Sequence, residues 1–171
     1  EWDSSASVRT LDYRMARGRY DKIVSIEMIE AVGEKYWPKF FEQLKTLLMP
    51  RGSIGLQLIT IDEAAFSLYR KYPDFIQKYI FPGGMLMTKD LLRELATSAG
   101  LQLGEMRDFG SDYAKTLRLW RERFNAAWPE LEKMGFEGRF QKMWNFYLCY
   151  CEAGFDNGLI NVSQVHLKHA G

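Results

Sequence analysis

Hydrophobic positions change their spacing several times along the chain, and each change marks an element. Ile23, Val24 and Ile26 form a short β-branched run, and Glu27 and Glu30 follow it at once before Gly33. A nearly continuous run of this kind predicts a strand buried on both faces of a parallel sheet. Open α/β sheets bind ligands just past the carboxyl ends of such strands, which singles out the two glutamates. Phe40, Phe41, Leu44, Leu47 and Leu48 then recur at three- and four-residue spacing, predicting an amphipathic helix over 35–48. Met49-Pro50-Arg51-Gly52 stops it, and 53–61 reads as the next strand. Upstream, 8–11 also reads as a strand.

Further along, 64–69 and 73–79 have the pattern of short helices, and Phe81-Pro82-Gly83-Gly84 is a turn. Thr88 is placed to cap a helix over 89–98 that Gly100 ends. A strand over 101–109 follows. Two aromatic-rich helices, 112–127 and 131–153, are divided by Trp128-Pro129. A tight turn at 156–158 leads into a last strand over 161–168. Strand–helix–strand alternation predicts an α/β fold with a mostly parallel sheet. The terminal strand, reached by a tight turn, is expected at an antiparallel edge.

Composition narrows the picture modestly. A chain of 171 residues fits one domain. Net charge is +1, so no basic field argues for a nucleic-acid partner. No apolar run approaches the roughly 18 residues that span a bilayer. Cys149 and Cys151, one residue apart in a helical pattern, point in different directions and pair poorly, and with His166 and His169 they make no metal-ligand pattern. Aromatics reach 15%, enough for a large core or an apolar pocket. Tyr79, Phe81, Trp120, Phe124, Trp144, Phe146 and Tyr147 are the candidates for such a pocket, with packed helix faces as the plain alternative.

Several stretches in order carry a resemblance. They are LDYR (11–14), YDKIVSIEMIEAVG (20–33), GSIGLQLITI (52–61), DFIQKYIFPGG (74–84), DFGSDYAKTLRLWRERF (108–124) and YLCYCEAGF (147–155). Together they resemble the cyclopropane-fatty-acyl-phospholipid synthase family of S-adenosylmethionine-dependent methyltransferases. The resemblance implies a Rossmann-like class I methyltransferase fold entered at about its third strand. It also implies that 1–171 is the C-terminal part of a single methyltransferase domain. The N-terminal strands, the Gly-rich cofactor loop, the ribose-binding acid and the upstream active-site cysteine of the family have no counterpart in this sequence. Expected with it are S-adenosylmethionine as co-substrate, bicarbonate as base, and an unsaturated phospholipid at the membrane surface as acceptor. A cytoplasmic location with peripheral contact at the inner membrane face and a possible homodimer complete the expectation.

By motif position, Glu30 matches the family's glutamate that accepts a hydrogen from bicarbonate, and Tyr113 matches its tyrosine. Ile59 would supply a backbone N–H. Gln57 stands where many members have a histidine, and Ala31 where many have another. An amide binds an anion but carries no proton, so the product is a cyclopropane or a related methylated lipid. Asp12 and Tyr13 would flank the adenine. Read without the resemblance, Glu30 is a helix-start carboxylate, Tyr113 a packed tyrosine and Asp12-Tyr13 an ordinary turn. Gln57, inside an apolar strand, needs hydrogen-bond partners on any reading. Two other functions fit the sequence: a methyltransferase of this fold acting on an amine or other small acceptor, and a truncated non-catalytic domain.

Overall fold

The computed structural model describes residues 6–170. Its strands β1 (Tyr20–Ile26), β2 (Leu48–Ile61), β3 (Leu101–Asp108) and β4 (Ile160–His169) form one sheet in the order β1-β2-β4-β3. β1 runs parallel to β2, and β4 runs antiparallel to both β2 and β3. The helices are α1 (Trp37–Leu47), α2 (Glu63–Lys71), α3 (Phe75–Tyr79), α4 (Lys89–Ser98), α5 (Gly110–Ala126), α6 (Trp128–Lys133) and α7 (Gly138–Asp156).

Alternation along the strands sorts the core into two clusters on opposite faces of the sheet. One face presents Ile54, Leu56, Leu58, Val165 and Leu167 to Trp37, Phe40, Phe41 and Leu44 of α1 and to Leu92 and Ala96 of α4. The other presents Val162 and Ile59 to Ala114 and Leu117 of α5 and to Leu148 and Phe155 of α7. That second cover stops partway across. Beyond it Val24, Ile26, Gly55, Gln57, Gln164 and His166 line an open cleft of about 370 Å³.

The expected α/β class holds, with four differences in detail. β1 is buried on one face only: Ile23 packs into the α1–α4 core, whereas Val24 and Ile26 are 69% and 57% exposed. α5 and α7 do not reach it. β4 is antiparallel as expected, yet it lies inside the sheet between β2 and β3 instead of at an edge, and of the three strand pairings among the described residues one, β1–β2, is parallel. Residues 8–11 form no strand, and Val8 is 79% exposed with no described strand beside it. Finally, α5 does end just before Trp128-Pro129, but the helix expected over 131–153 is itself divided by a second break at 134–137. Proline suits the first turn of a helix, so α6 starts there, and Gly135 at φ 94° separates it from α7.

Candidate functional site

The carboxyl ends of β1 and β2 lie side by side, with Ile26 opposite Gln57. One further ladder bond, from the Glu27 N–H to the Gln57 carbonyl at 2.8 Å, carries the pairing past the strand. Glu27 then turns the chain sharply. Its φ of 48° lies in the left-handed region, where no other non-glycine residue among the described residues is found. The turn Ile29–Ala31 follows, anchored by buried Ile29 and by a bond from the Met85 N–H to the Glu30 carbonyl at 2.9 Å.

Two glutamates reach the site from this corner. Glu27 accepts from the Gln57 Nε2 amide at 2.8 Å through Oε1 and from the Tyr113 hydroxyl at 3.2 Å through Oε2. Gln57 is held in turn, its Oε1 accepting from Gln164 Nε2 at 3.0 Å. Glu30 Oε1 accepts from the Ile59 backbone N–H at 2.6 Å, and Glu30 Oε2 is buried with no partner. No Lys, Arg or His among the described residues forms an ion pair with either carboxylate. Burial pushes the Glu30 carboxyl above the usual range; the Ile59 N–H opposes this and the charge on Glu27 adds to it. Burial and then the neighbouring Glu27 likewise raise the Tyr113 phenol, and burial lifts Tyr147 to about 12.

Tyr113 is delivered by the first turn of α5. The Gly110 N–H donates to Asn161 Oδ1 at 2.9 Å, and a Cβ at Gly110 would stand 2.8 Å from that oxygen, so only glycine lets α5 start this close to β4. The Tyr113 ring then packs on Phe155 and Trp120, at centroid distances of 5.0 and 6.1 Å.

Glu30, Gln57, Ile59 and Tyr113 fall into two bonded sets: Glu30 pairs directly with the Ile59 N–H, and Gln57 and Tyr113 are joined through Glu27, to which the sequence assigns no role. Its signals are the glutamate at the strand end and a buried-strand glutamine that needs a partner. The Ile59 N–H points at Glu30, not at open space.

Asp12 and Tyr13 lie on the other side of the 28–32 turn. Asp12 caps the turn Tyr13–Met15 and grips Arg14, whose guanidinium holds the Asp12 carboxyl down at about 2. Tyr13 packs edge-on against Phe40 at 5.7 Å, and its buried hydroxyl has no partner. Tyr13, Arg14, Met28, Ala31, Val32 and Tyr36 line a cleft of about 340 Å³. Aromatic and apolar walls with one unsatisfied hydroxyl suit a flat heteroaromatic ring such as adenine. In the neighbouring site Glu30 Oε2, the orphaned oxygen, is left with its hydrogen-bonding capacity unused. Among the described residues no group of three or more His, Cys, Asp or Glu is arranged for a metal ion.

A sheet of this order with helices on both faces and polar groups at the ends of β1 and β2 is the frame of class I methyltransferases. The chain belongs to the mycolic acid cyclopropane synthetase family, whose model matches residues 1–165. It is 42% identical over 161 residues to the tuberculostearic acid methyltransferase UfaA1 of Mycobacterium tuberculosis, covering 94% of this chain and 38% of that protein. It is 35% identical over 156 residues to the cyclopropane-fatty-acyl-phospholipid synthase of Escherichia coli, covering 90% of this chain and 39% of that enzyme. Among solved structures, it superposes with a TM-score of 0.81 on the mycolic acid cyclopropane synthase CmaA1 complexed with SAH and CTAB. That match has 26% identity and covers 91% of this chain and 57% of the other. The chain thus spans about two-fifths of the length of these curated relatives.

Proposed function

We propose that this chain is the C-terminal part of a methyltransferase domain that transfers a methyl(ene) group from S-adenosylmethionine to the double bond of an unsaturated phospholipid acyl chain. The observation that carries the reading is the half-buried corner, with no ion pair to either carboxylate among the described residues, where Glu27, Glu30, Gln57, the Ile59 N–H and Tyr113 converge at the ends of β1 and β2. Membership of the family and the likeness to CmaA1 complexed with SAH support the co-substrate.

The reaction asks three things of the protein. The alkene must be aligned with the sulfonium methyl, water must be kept out, and a proton must leave the cation that methyl transfer creates. The C–S electron pair stays on sulfur, the alkene π electrons form the new C–C bond, and the adjacent carbon is left positive. Bicarbonate, held at this corner, would supply the base. Glu30 Oε2 would share a proton with it, and the burial that favours neutral Glu30 reduces the repulsion an arriving anion meets. Tyr113 and Gln57, tied to Glu27, fix the opposite wall. Asp12 and Tyr13 border the adenine.

The cation has a second outcome that balances in the same way. Loss of one proton to the base closes the ring or instead leaves a methylene branch, and Gln57, an amide fixed by Glu27 on one side and Gln164 on the other, relays no proton in either case. The greater identity to a protein named a methyltransferase supports this branch.

Expression of the full-length protein with lipid mass spectrometry tests the reading. Unsaturated phospholipid chains should gain one carbon, and upfield ring-proton resonances should tell a cyclopropane from a methylene branch. Lipids left unchanged while amines become methylated would sink it. No helix among the described residues is long and apolar enough to cross a membrane. Peripheral contact at the cytoplasmic membrane face is accordingly part of the proposal, as is a homodimer, which sedimentation equilibrium would detect.

A further inference from the structure

An aromatic cluster between α3 and α7 lies at the surface, outside the hydrogen-bonded corner that holds the glutamates. Phe75 meets Phe146 edge-on at 4.6 Å and Tyr79 at 5.4 Å, and Phe146 stacks on Tyr150 at 5.9 Å. Tyr79 and Phe146 are nevertheless 66% and 52% exposed. Contiguous exposed aromatics of this kind mark an interaction surface.

The unpaired charge around the cluster is cationic. The exposed stripe of α7 runs Arg139, Lys142, Phe146, Cys149, Ala153 and Asp156, with Tyr150 beside it; its one acid, Asp156, is paired with Arg118 at 3.3 Å. Lys78 precedes Tyr79 in α3. None of Lys78, Arg139 and Lys142 forms an ion pair among the described residues. Asp74, the acid at the rim, is engaged by the Gln77 N–H at 2.9 Å and the Tyr150 hydroxyl at 3.0 Å.

The cluster also adjoins the candidate site. Gln77 Nε2 donates to the Gly84 carbonyl at 3.0 Å, and the next residue, Met85, donates to the Glu30 carbonyl at 2.9 Å. Phe81, at the end of the same segment, meets Tyr147 edge-on at 6.2 Å.

We propose that the α3–α7 cluster is the surface by which the enzyme sits on an anionic phospholipid bilayer. Tyr79 and Phe146 enter the boundary between headgroups and acyl chains, while Lys78, Arg139 and Lys142 meet lipid phosphates. Protein interfaces are depleted in lysine, whereas a bilayer surface accepts aromatic rings in its boundary layer and long cationic stems above it. This inference rests on the lipid acceptor proposed above.

The test uses the full-length enzyme and vesicles of saturated phosphatidylcholine, with or without an equal part of saturated phosphatidylglycerol. Saturated chains separate docking from turnover. Co-sedimentation with the mixed vesicles should fall about tenfold or more in Tyr79→Ser/Phe146→Ser and in Lys78→Glu/Lys142→Glu. The charge variant should bind pure phosphatidylcholine as the wild type does. An environment-sensitive fluorophore on exposed Cys149, in a Cys151→Ser background, should shift to the blue when mixed vesicles are added. Wild-type binding by both variants would overturn the proposal. So would a Cys149 that does not react in the folded full-length enzyme, because the face would then be covered by the rest of the protein. Cluster-dependent binding without any gain of carbon in lipids would uphold the surface and fail the acceptor reading.

Discussion

Glu30 faces different surroundings at its two oxygens, and this makes it the sharpest residue to test. Oε1 is satisfied by the Ile59 N–H, and Oε2 is buried and unpaired. Glu30→Gln keeps an acceptor for Ile59 but cannot exchange a proton. Turnover should fall by about 10²- to 10⁴-fold while cofactor affinity, measured by calorimetry, changes little. The same substitution carries a stability signature. A carboxyl raised by burial is protonated in both states well below its usual range, so it costs nothing there. As pH rises through the unfolded value, the unfolded chain ionises first and the folded state loses relative stability until the raised value is passed. The thermal midpoint of Glu30→Gln should therefore exceed that of the wild type at alkaline pH, with the gap closing in acid. A gap independent of pH would refute the buried-carboxyl account. Tyr113→Phe keeps the ring packing and loses one bond to Glu27, so its midpoint should drop by only ~1 kcal/mol equivalent while turnover falls much further.

At the scale of elements, periodicity carried most of the helices and the order of strands. Thr88 does cap α4, through a bond from the Leu91 N–H at 3.1 Å, and Gly100 at φ 76° ends it. What periodicity missed depends on neighbours. The β-branched run of β1 reads the same whether one face is covered or two, and a turn before the last strand does not reveal that β4 slots between β2 and β3. The site was legible in part for the same reason. Glu30, Gln57 and Tyr113 stand in motifs, whereas Glu27 becomes the common partner of Gln57 and Tyr113 only once β1 and β2 are in register. Arg118 and Arg121 on α5 are ion-paired with Glu152 of α7 at 2.7 and 3.3 Å. The element most dependent on one small residue is α5. Gly110→Ala would force a Cβ against Asn161 and Phe155, costing roughly 1–3 kcal/mol by the usual scale for overpacking. Because α5 carries Tyr113, the variant should lose turnover as well as denaturant midpoint. Loss of the midpoint alone would show that the position of Tyr113 is not set there.

At the scale of the whole molecule, the uncovered half of the second sheet face is the feature that bears on domain organisation. Val24 and Ile26 are apolar and exposed, Gly55 beside them leaves a flat floor, and an open cleft lies over all three. A single surface valine needs no explanation, but two β-branched residues side by side on a sheet are the usual floor of a packed layer. Our proposal that these residues are part of one larger methyltransferase domain gives that floor a cover from the same protein. It makes a prediction about magnitude. In the full-length enzyme Val24→Ser should behave as a core substitution, lowering unfolding free energy by about 2 kcal/mol or more, since it removes buried methyl groups and buries a hydroxyl. On an open face the same change falls within about 0.5 kcal/mol. Urea unfolding of the two proteins decides between these values. An effect at the lower figure would leave β1 as a solvent-facing strand and would count against the single-domain proposal.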